Sequence, residues 1–349
     1  MNAPPRILII RLSSLGDILH TLPAFAALRK AQPDAQIDWL VAEKCKFLLS
    51  AVGGIHSIHV LETSALLRFP MRRQAWNKLW RLIRDLRSQD YDFSLDFQGL
   101  VKTSLLGFLS GAQTRLGFSR HLVREFPAHW FYNRTLAKPP EQVHVLKLNS
   151  MLAELIGAVP ANTCFDFNVP QDDMRHVDSL LMKERITNFV VINPGGGWST
   201  KRWNLQRYGE LAKRINLELG LPVVVTTGPG EESYFQTIAA HCGGCEPSHF
   251  PISFLQLIPL MKKARVVIGG DTGPLHLACA VGTSVVGIFG PTSPVRNGPW
   301  GLGGEGLART LPCSFCYGRN CDKNNECMDI SVEEVFAAVV RRLANKGGP

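Results

Sequence analysis

The sequence predicts an α/β protein made of two doubly wound domains, each a parallel sheet with helices on both faces. Three observations lead there. Apolar runs of strand length alternate with segments of helical pattern through both halves of the chain, the rhythm of βαβ units. At 349 residues the chain exceeds one ordinary core, since domains average about 150 residues. The glycine- and hydroxyl-rich loops follow strand-type runs, where sheets of this kind bind ligands.

In the first half, strands are expected at 7–12, 37–42, 57–61 and 91–97, with helices over 17–31, up to Ser88, and from Val101 onward. The second half repeats the pattern: strands at 189–193, 222–227, 266–269 and 284–289, and helices over 205–219, 231–241 and 254–263. The interval 164–188 has no comparable strand and reads as the join. The domains are therefore set at 1–170 and 171–330, with 331–349 a terminal segment containing a helix over 332–344.

Hydrophobic residues make up 45% and charged residues 19%, the balance of a folded globular protein. No run approaches the roughly 20 apolar residues of a membrane span. Residues 1–6 lead straight into the first strand, without the n-region and h-region of a signal peptide, so a cytoplasmic location is expected. Nine cysteines, an odd number that includes the scattered Cys45, Cys164 and Cys279, suit a reducing compartment better than a disulfide scaffold. The net charge of +9 favours an acidic partner: nucleic acid, anionic lipid or a phosphorylated small molecule. Between residues 61 and 90 stand seven basic residues, Arg68, Arg72, Arg73, Lys78, Arg81, Arg84 and Arg87, against three acids, with Trp76 and Trp80 interleaved. A solvated helix face accounts for most of them, and a surface for an anionic substrate is the alternative.

The first strand–helix loop, within "RILIIRLSSLGDILHTLPAF", carries Ser13, Ser14, Gly16 and Asp17. It has neither the G-x-x-x-x-G-K-[ST] of a P-loop nor the G-x-G-x-x-G of a dinucleotide site. Loops of this kind ordinarily bind anions through free N–H groups, and an aspartate there repels phosphate. Asp17 reads equally well as an N-cap or as a group with chemistry of its own. The second half carries "NPGGGWSTKRWN", with Gly196, Gly197 and Lys201, then "GPGEE", with Glu231 and Glu232, and "GDTGPLH", with Asp271, Thr272, Gly273 and His276. Pro274 suits the first turn of a helix, whose N–H groups can hold a diphosphate. The glycines let backbone approach a ligand, and Lys201 supplies a mobile cation. Together these loops indicate a nucleotide diphosphate site.

Metal signals are thin. Asp90, Tyr91 and Asp92 match D-x-D, but they straddle a helix end and a strand, so the match reads as coincidence. Cys313, Cys316, Cys321 and Cys327 begin with a zinc-type pair and continue with a non-standard spacing. A structural zinc is a minor reading, and no metal or cofactor is assigned. Cys242 and Cys245 read as loop thiols, and His20 as either a packed histidine or a group that orients Asp17.

Five blocks carry a family resemblance: "RLSSLGDILHTLPAFAALRKAQPDAQIDWLV", "YDFSLDFQGLVKTSLL", "STKRW", "GDTGPLHLACAVGTSVVGIFGPTSP" and "CSFCYGRNCDKNNECMDISVEEV". They resemble the ADP-heptose:lipopolysaccharide heptosyltransferases of glycosyltransferase family 9, nearly end to end. The resemblance implies the GT-B fold, two Rossmann-like domains facing each other across a cleft, with the last helix crossing back to the first domain. It implies an inverting, metal-independent transfer of heptose from ADP-heptose to the inner core of lipopolysaccharide. Asp17 would be the general base and Lys201 the cation at the donor diphosphate. Asp271, Thr272, Gly273 and His276 would line the donor site, with Glu231 or Glu232 at the ribose. Gly196 and Gly197 stand where some relatives carry hydroxyl residues, so backbone contacts would serve there. Ser13, Ser14, Gly16, Gln98 and Lys102 fall on the acceptor side, and Arg72 and Arg73 would meet the anionic acceptor. The enzyme would work in the cytoplasm at the surface of the inner membrane, with no nucleic acid partner. Rival readings are a non-catalytic nucleotide- or lipopolysaccharide-binding protein of the same fold, or a transferase using another sugar nucleotide. A nicotinamide dehydrogenase lacks its glycine fingerprint here.

Overall fold

A computed structural model describes residues 3–62, 73–159, 163–301 and 303–344. The chain divides into two compact units, Met1–Asn162 and Thr163–Pro349. Each contains one parallel six-stranded sheet. In the first, β1 (Arg6–Ile10), β2 (Gln36–Ala42), β3 (Ser57–Leu61), β4 (Phe93–Asp96), β5 (Thr114–Phe118) and β6 (Arg134–Leu136) lie in the order β3-β2-β1-β4-β5-β6. In the second, β7 (Val190–Asn193), β8 (Val223–Thr226), β9 (Ser248–Phe250), β10 (Val266–Gly270), β11 (Ser284–Phe289) and β12 (Gly304–Ala308) lie in the order β12-β11-β10-β7-β8-β9. Counted within each unit, both orders are 3-2-1-4-5-6, the dinucleotide-fold order. The order reverses between β1 and β4 in one sheet and between β7 and β10 in the other. The loops leaving these four strands are therefore where ligands are expected.

The central strands are apolar because helices cover both of their faces. Ile7, Leu8, Ile9 and Ile10 of β1 are fully buried, as are Val190, Val191 and Ile192 of β7. The expected helix over 17–31 is two helices, Leu15–Leu19 and Leu22–Ala31. Pro23 lies in the first turn of the second, where its missing N–H and its ring oppose continuation from the turn before. Strands β6 and β9 escape the sequence reading because they are three residues long, and β5 and β12 because arginine, glutamate or glycine breaks their apolar run. The helix Val145–Glu154 escapes it too, and the interval read as a join contains the helix Gln171–Lys183.

The unit boundary falls earlier than the expected 170/171. Phe165 N–H donates to the Ala280 carbonyl at 2.7 Å and Phe167 is buried, so this segment belongs to the second unit. The last helix, Val332–Ala344, is expected to cross to the first domain. Its described packing is with the helix Leu205–Leu219 and with β10, β11 and β12. Val335, Ala338 and Val339, spaced three and four apart, join Val266, Ile268, Val286 and Ile288 in one core. Burying each such valine is worth about 1.5–3 kcal/mol, which explains where the helix docks. Among the described residues no helix is long and apolar enough to cross a membrane.

Candidate functional site

Both switch points carry ionised side chains, and they are described unit by unit. In the first, β1 runs into Arg11, whose side chain is buried, and the loop then turns at Ser14 into the helix Leu15–Leu19. Ser14, not Asp17, is the N-cap residue. Asp17 sits in the first turn and folds back, its Oδ2 accepting from the Ser14 N–H at 3.0 Å and the Ser14 hydroxyl at 3.1 Å. Its Oδ1 pairs with Arg11 at 2.5 Å and with Arg124 at 3.4 Å. Burial by itself would raise the Asp17 pKa. Arg11, then Arg124 and the Ser14 N–H, outweigh it and hold the carboxyl well below the usual carboxylate range. Asp17 is thus a carboxylate at any physiological pH, with 18% of its side chain still open to solvent.

The two arginines are held by β4 and its loop. Arg11 donates to the Phe97 carbonyl. Gly99 has φ +68°, and a Cβ there would stand 3.3 Å from Val123 Cα, so glycine admits both the turn and the close approach of 123–124. The Gly99 carbonyl then accepts from the N–H of Arg124 at 3.0 Å, which holds the arginine's backbone against this loop. Gln98 is buried, and its Oε1 accepts from Leu12 N–H at 2.8 Å across the switch point. This bond ties the two loops together. Lys102 is exposed in the first turn of the helix Val101–Leu109, Ser13 and Ser14 are accessible, and Gly16 is buried. His20 is buried, edge-on to His144 at 5.9 Å. Arg73 is exposed at the start of the helix Arg73–Arg87. Arg72, and Arg68 before it, lie outside the described residues.

The second unit inverts the arrangement. The loop after β7 brings Lys201 to the end of β10, where its Nζ lies 2.7 Å from Asp271 Oδ2 and 3.3 Å from the Asp271 carbonyl oxygen. The other Asp271 oxygen faces Nε2 of buried His276 at 2.8 Å, and the His276 ring stacks on Trp300 at 5.6 Å. Burial opposes ionisation of Asp271 too. The His276 contact and then the Lys201 charge outweigh it and hold the carboxyl well below its usual range. His276 therefore stands behind Asp271, holding the acid that holds the lysine. Lys201 also lies 4.4 Å from the Trp198 ring centre, and Arg319 lies 5.0 Å from the same ring.

Around this cation the loops are stitched by Glu231. Its Oε1 accepts from Gly196 N–H at 3.2 Å and its Oε2 from Gly228 N–H at 3.0 Å. A Cβ on Gly195 would overlap that carboxylate at 2.1 Å, so only glycine lets the acid lie against the loop. Arg202 donates twice to the Gly196 carbonyl, at 2.9 and 2.8 Å. Gly197 is open on its Cβ side, and exposed Glu232 accepts from Gly230 N–H at 3.2 Å. Thr272 is the N-cap residue of the helix Gly273–Ala280, and its buried hydroxyl has no partner among the described residues. A hydroxyl, a helix start and an ammonium are groups whose chemistry suits a phosphate.

Asp92 of the D-x-D accepts from the Arg6 N–H at 2.9 Å, while buried Tyr91 donates its hydroxyl to Asp38 at 2.6 Å. Cys313, Cys316, Cys321 and Cys327 are unbridged thiols. Among the described residues, no group of three or more His, Cys, Asp or Glu is arranged to hold a metal ion. Arg11, Arg124, Arg202 and Arg319 are the site residues that sequence reasoning missed. Arg11 had a signal, an arginine inside an apolar run. The other three had none, since basic residues are common on any surface.

The sequence profile of the family described as glycosyltransferase family 9 (heptosyltransferase) matches residues 79–326. Lipopolysaccharide heptosyltransferase 1 of Pseudomonas aeruginosa is 27% identical over 328 residues, covering 90% of this chain and 87% of its own length. Among solved structures, a family 9 glycosyl transferase from Veillonella parvula superposes with a TM-score of 0.83 at 20% identity, covering 99% of each chain. The E. coli heptosyltransferase WaaC, solved with ADP, superposes with a TM-score of 0.76 at 23% identity, covering 97% of this chain and 99% of its own. The two structures speak for the fold, which is α/β of the GT-B class. The profile spans most of the chain and includes Lys201, Asp271, Thr272 and Arg124. The chain belongs to glycosyltransferase family 9, the heptosyltransferases, and is an enzyme of glycosyl transfer.

Proposed function

We propose that the protein transfers heptose from ADP-heptose to an inner-core sugar of lipopolysaccharide, with inversion at the anomeric carbon and without a metal ion. The observation that carries this reading is the division of charge between the two switch points. A glycosyl acceptor is an alcohol and needs a base as the new C–O bond forms. Asp17 is the ionised carboxylate at the switch point of the first unit, with solvent access. The departing nucleotide diphosphate gains negative charge and needs a fixed cation and N–H donors. Lys201, the Thr272 hydroxyl and the start of the helix Gly273–Ala280 supply these in the second.

A carboxylate held this far below its usual pKa is a weak base. Arg124 offers a remedy: its side chain is half exposed and its contact at 3.4 Å is the longer of the two ion pairs. If the arriving acceptor hydroxyl takes that place, Asp17 gains proton affinity as the transfer proceeds. Glu231 or Glu232 would meet the ribose, and Gly196 and Gly197 would offer backbone to the donor. Asp271 and His276 would act through Lys201. Ser13, Ser14, Gly16 and Lys102 would border the acceptor, with Gln98 a brace behind them, and Arg73 with Arg72 would attract its phosphates. The acceptor is built at a cytoplasmic membrane surface, so the enzyme would work there as a peripheral protein. The test is a donor screen, ADP-heptose against UDP- and GDP-sugars, read by free nucleotide released in the presence of acceptor, with EDTA added in parallel. Turnover with ADP-heptose that survives EDTA is expected. Turnover only with another sugar nucleotide would replace the donor, and binding of ADP-heptose without turnover would favour the non-catalytic reading.

A further inference from the structure

We propose that an exposed aromatic face on the first unit, formed by the helix Val101–Leu109 and the turn Phe126–Phe131, docks on the interface of an anionic lipid bilayer. This rests on the proposed function only in that a lipid-anchored acceptor gives such a face a purpose.

The helix and the turn pack against each other. Ala128 is fully buried, and the rings of Phe108 and Phe131 meet edge-on at 5.9 Å. Yet Phe126 is 57% exposed, Trp130 67%, Phe108 49% and Leu105 36%. Phe126 and Trp130 also touch each other, with ring centres 5.8 Å apart. Large apolar side chains exposed singly mean little, but a group of them on two adjoining elements marks a docking surface. Leu105 and Phe108 are three residues apart and share one side of their helix.

Charge selects the occupant. Residues 101–135 contain five basic side chains, Lys102, Arg115, Arg120, Arg124 and Arg134, and one acid, Glu125. The Arg115 guanidinium lies 5.3 Å from the Phe108 ring centre. A second copy of this chain would bring like charge against like charge. An anionic interface accepts both parts, aromatic rings at headgroup depth and arginines at the phosphates. Either signal alone binds a membrane weakly, and the two together bind it stably. The turn begins two residues after Arg124, the partner of Asp17. Docking through it would hold the carboxylate close to the membrane surface, where an acceptor sugar on a lipid anchor stands.

The test is flotation of the full chain with vesicles of phosphatidylcholine, with and without phosphatidylglycerol, in the absence of any substrate. Binding to the anionic vesicles that weakens with salt is expected. The double variant Phe126→Ser, Trp130→Ser should lower the partition coefficient roughly tenfold or more, given the apolar area of two rings. Its thermal melt should match wild type, since both side chains are exposed. Brominated lipid should quench wild-type fluorescence, and Trp130→Phe should lose part of that quenching. Equal partitioning of wild type and the double variant, or no quenching at Trp130, would overturn the proposal. So would a concentration-dependent dimer, or retention on an oligonucleotide, abolished by the same double variant. Turnover of wild type on a deacylated, water-soluble acceptor, measured in parallel, separates the two readings. If it persists without vesicle binding, only the docking face falls; vesicle binding without sugar transfer sinks only the activity.

Discussion

The two units of this protein share a strand order and load it with opposite charge. At the first switch point an exposed-edge carboxylate, Asp17, is held by two arginines, Arg11 from β1 and Arg124 from a distant loop. At the second, an ammonium, Lys201, is held by a buried carboxylate, Asp271, which is backed by His276. In each case a buried partner, Arg11 or Asp271, fixes a group more open to solvent than itself. The comparison teaches that one scaffold offers a position and not a chemistry: the loop residues decide whether that position carries a carboxylate or an ammonium.

The comparison can be broken most sharply at Asp17. Asp17→Asn keeps the shape and removes the carboxylate proposed as base, so turnover should fall by about 10² to 10⁴-fold while ADP binding by calorimetry stays as in wild type. A turnover within a fewfold of wild type would end the assignment. Next comes Lys201→Met, expected to cost about 10² to 10³-fold in kcat and to weaken ADP binding as well. That second effect is what should separate it from Asp17→Asn; unchanged ADP affinity would remove Lys201 from the diphosphate.

The buried partner of Lys201 can be examined by stability. Asp271→Asn breaks a mostly buried pair and should lower the stability of the second unit by about 3 kcal/mol at neutral pH. The Asp271 pKa is depressed in the folded protein, so its stabilisation is fully present above the ordinary carboxylate pKa of about 4. It is lost as pH falls below that value toward the folded pKa. Denaturant melts should therefore show a constant gap between wild type and Asp271→Asn above about pH 4, closing at lower pH. A gap that closes near neutrality would mean that the Asp271 carboxyl is not the group responsible.

A smaller effect is expected at Arg124. Removing its charge in Arg124→Gln raises the Asp17 pKa, because Arg124 is, after Arg11, the charge that lowers it most. The acid limb of kcat/KM should then move to higher pH than in wild type, and an unmoved limb would mean that Asp17 does not control it. Smallest is Arg73→Glu on the exposed basic helix. It should raise the acceptor KM a fewfold and flatten its salt dependence while sparing kcat, the pattern of lost uniform binding. No change in either would leave the helix as a solvated face.

Much of this was legible in the sequence. Apolar runs such as Ile7–Ile10 and Val190–Ile192 announce buried strands whatever surrounds them, because a parallel sheet covered on both faces needs such runs. Asp17, Lys201 and the Asp271–His276 block stand in loops whose composition differs from an ordinary turn. What escaped was set by partners far along the chain. Nothing in the local sequence of Arg124 connects it to a carboxylate 107 positions away, and nothing near Thr200 shows that its hydroxyl donates to the Gly318 carbonyl, in the loop that carries Arg319 over Trp198. Gln98, on the acceptor side by its loop, also braces that loop through a bond from Leu12 N–H to its side-chain oxygen, which only the folded chain brings together. The final helix has an apolar face that would suit either unit, and packing with β10 and β11 decides between them. The sequence by itself determined the central strands, the helices beside them and the α/β plan of two sheets, since hydrophobic period and turn residues act locally. Only the tertiary structure decided which charges meet, because an ion pair depends on distance in space, and the chain brings Arg11, Arg124 and Asp17 together only once the sheet has formed.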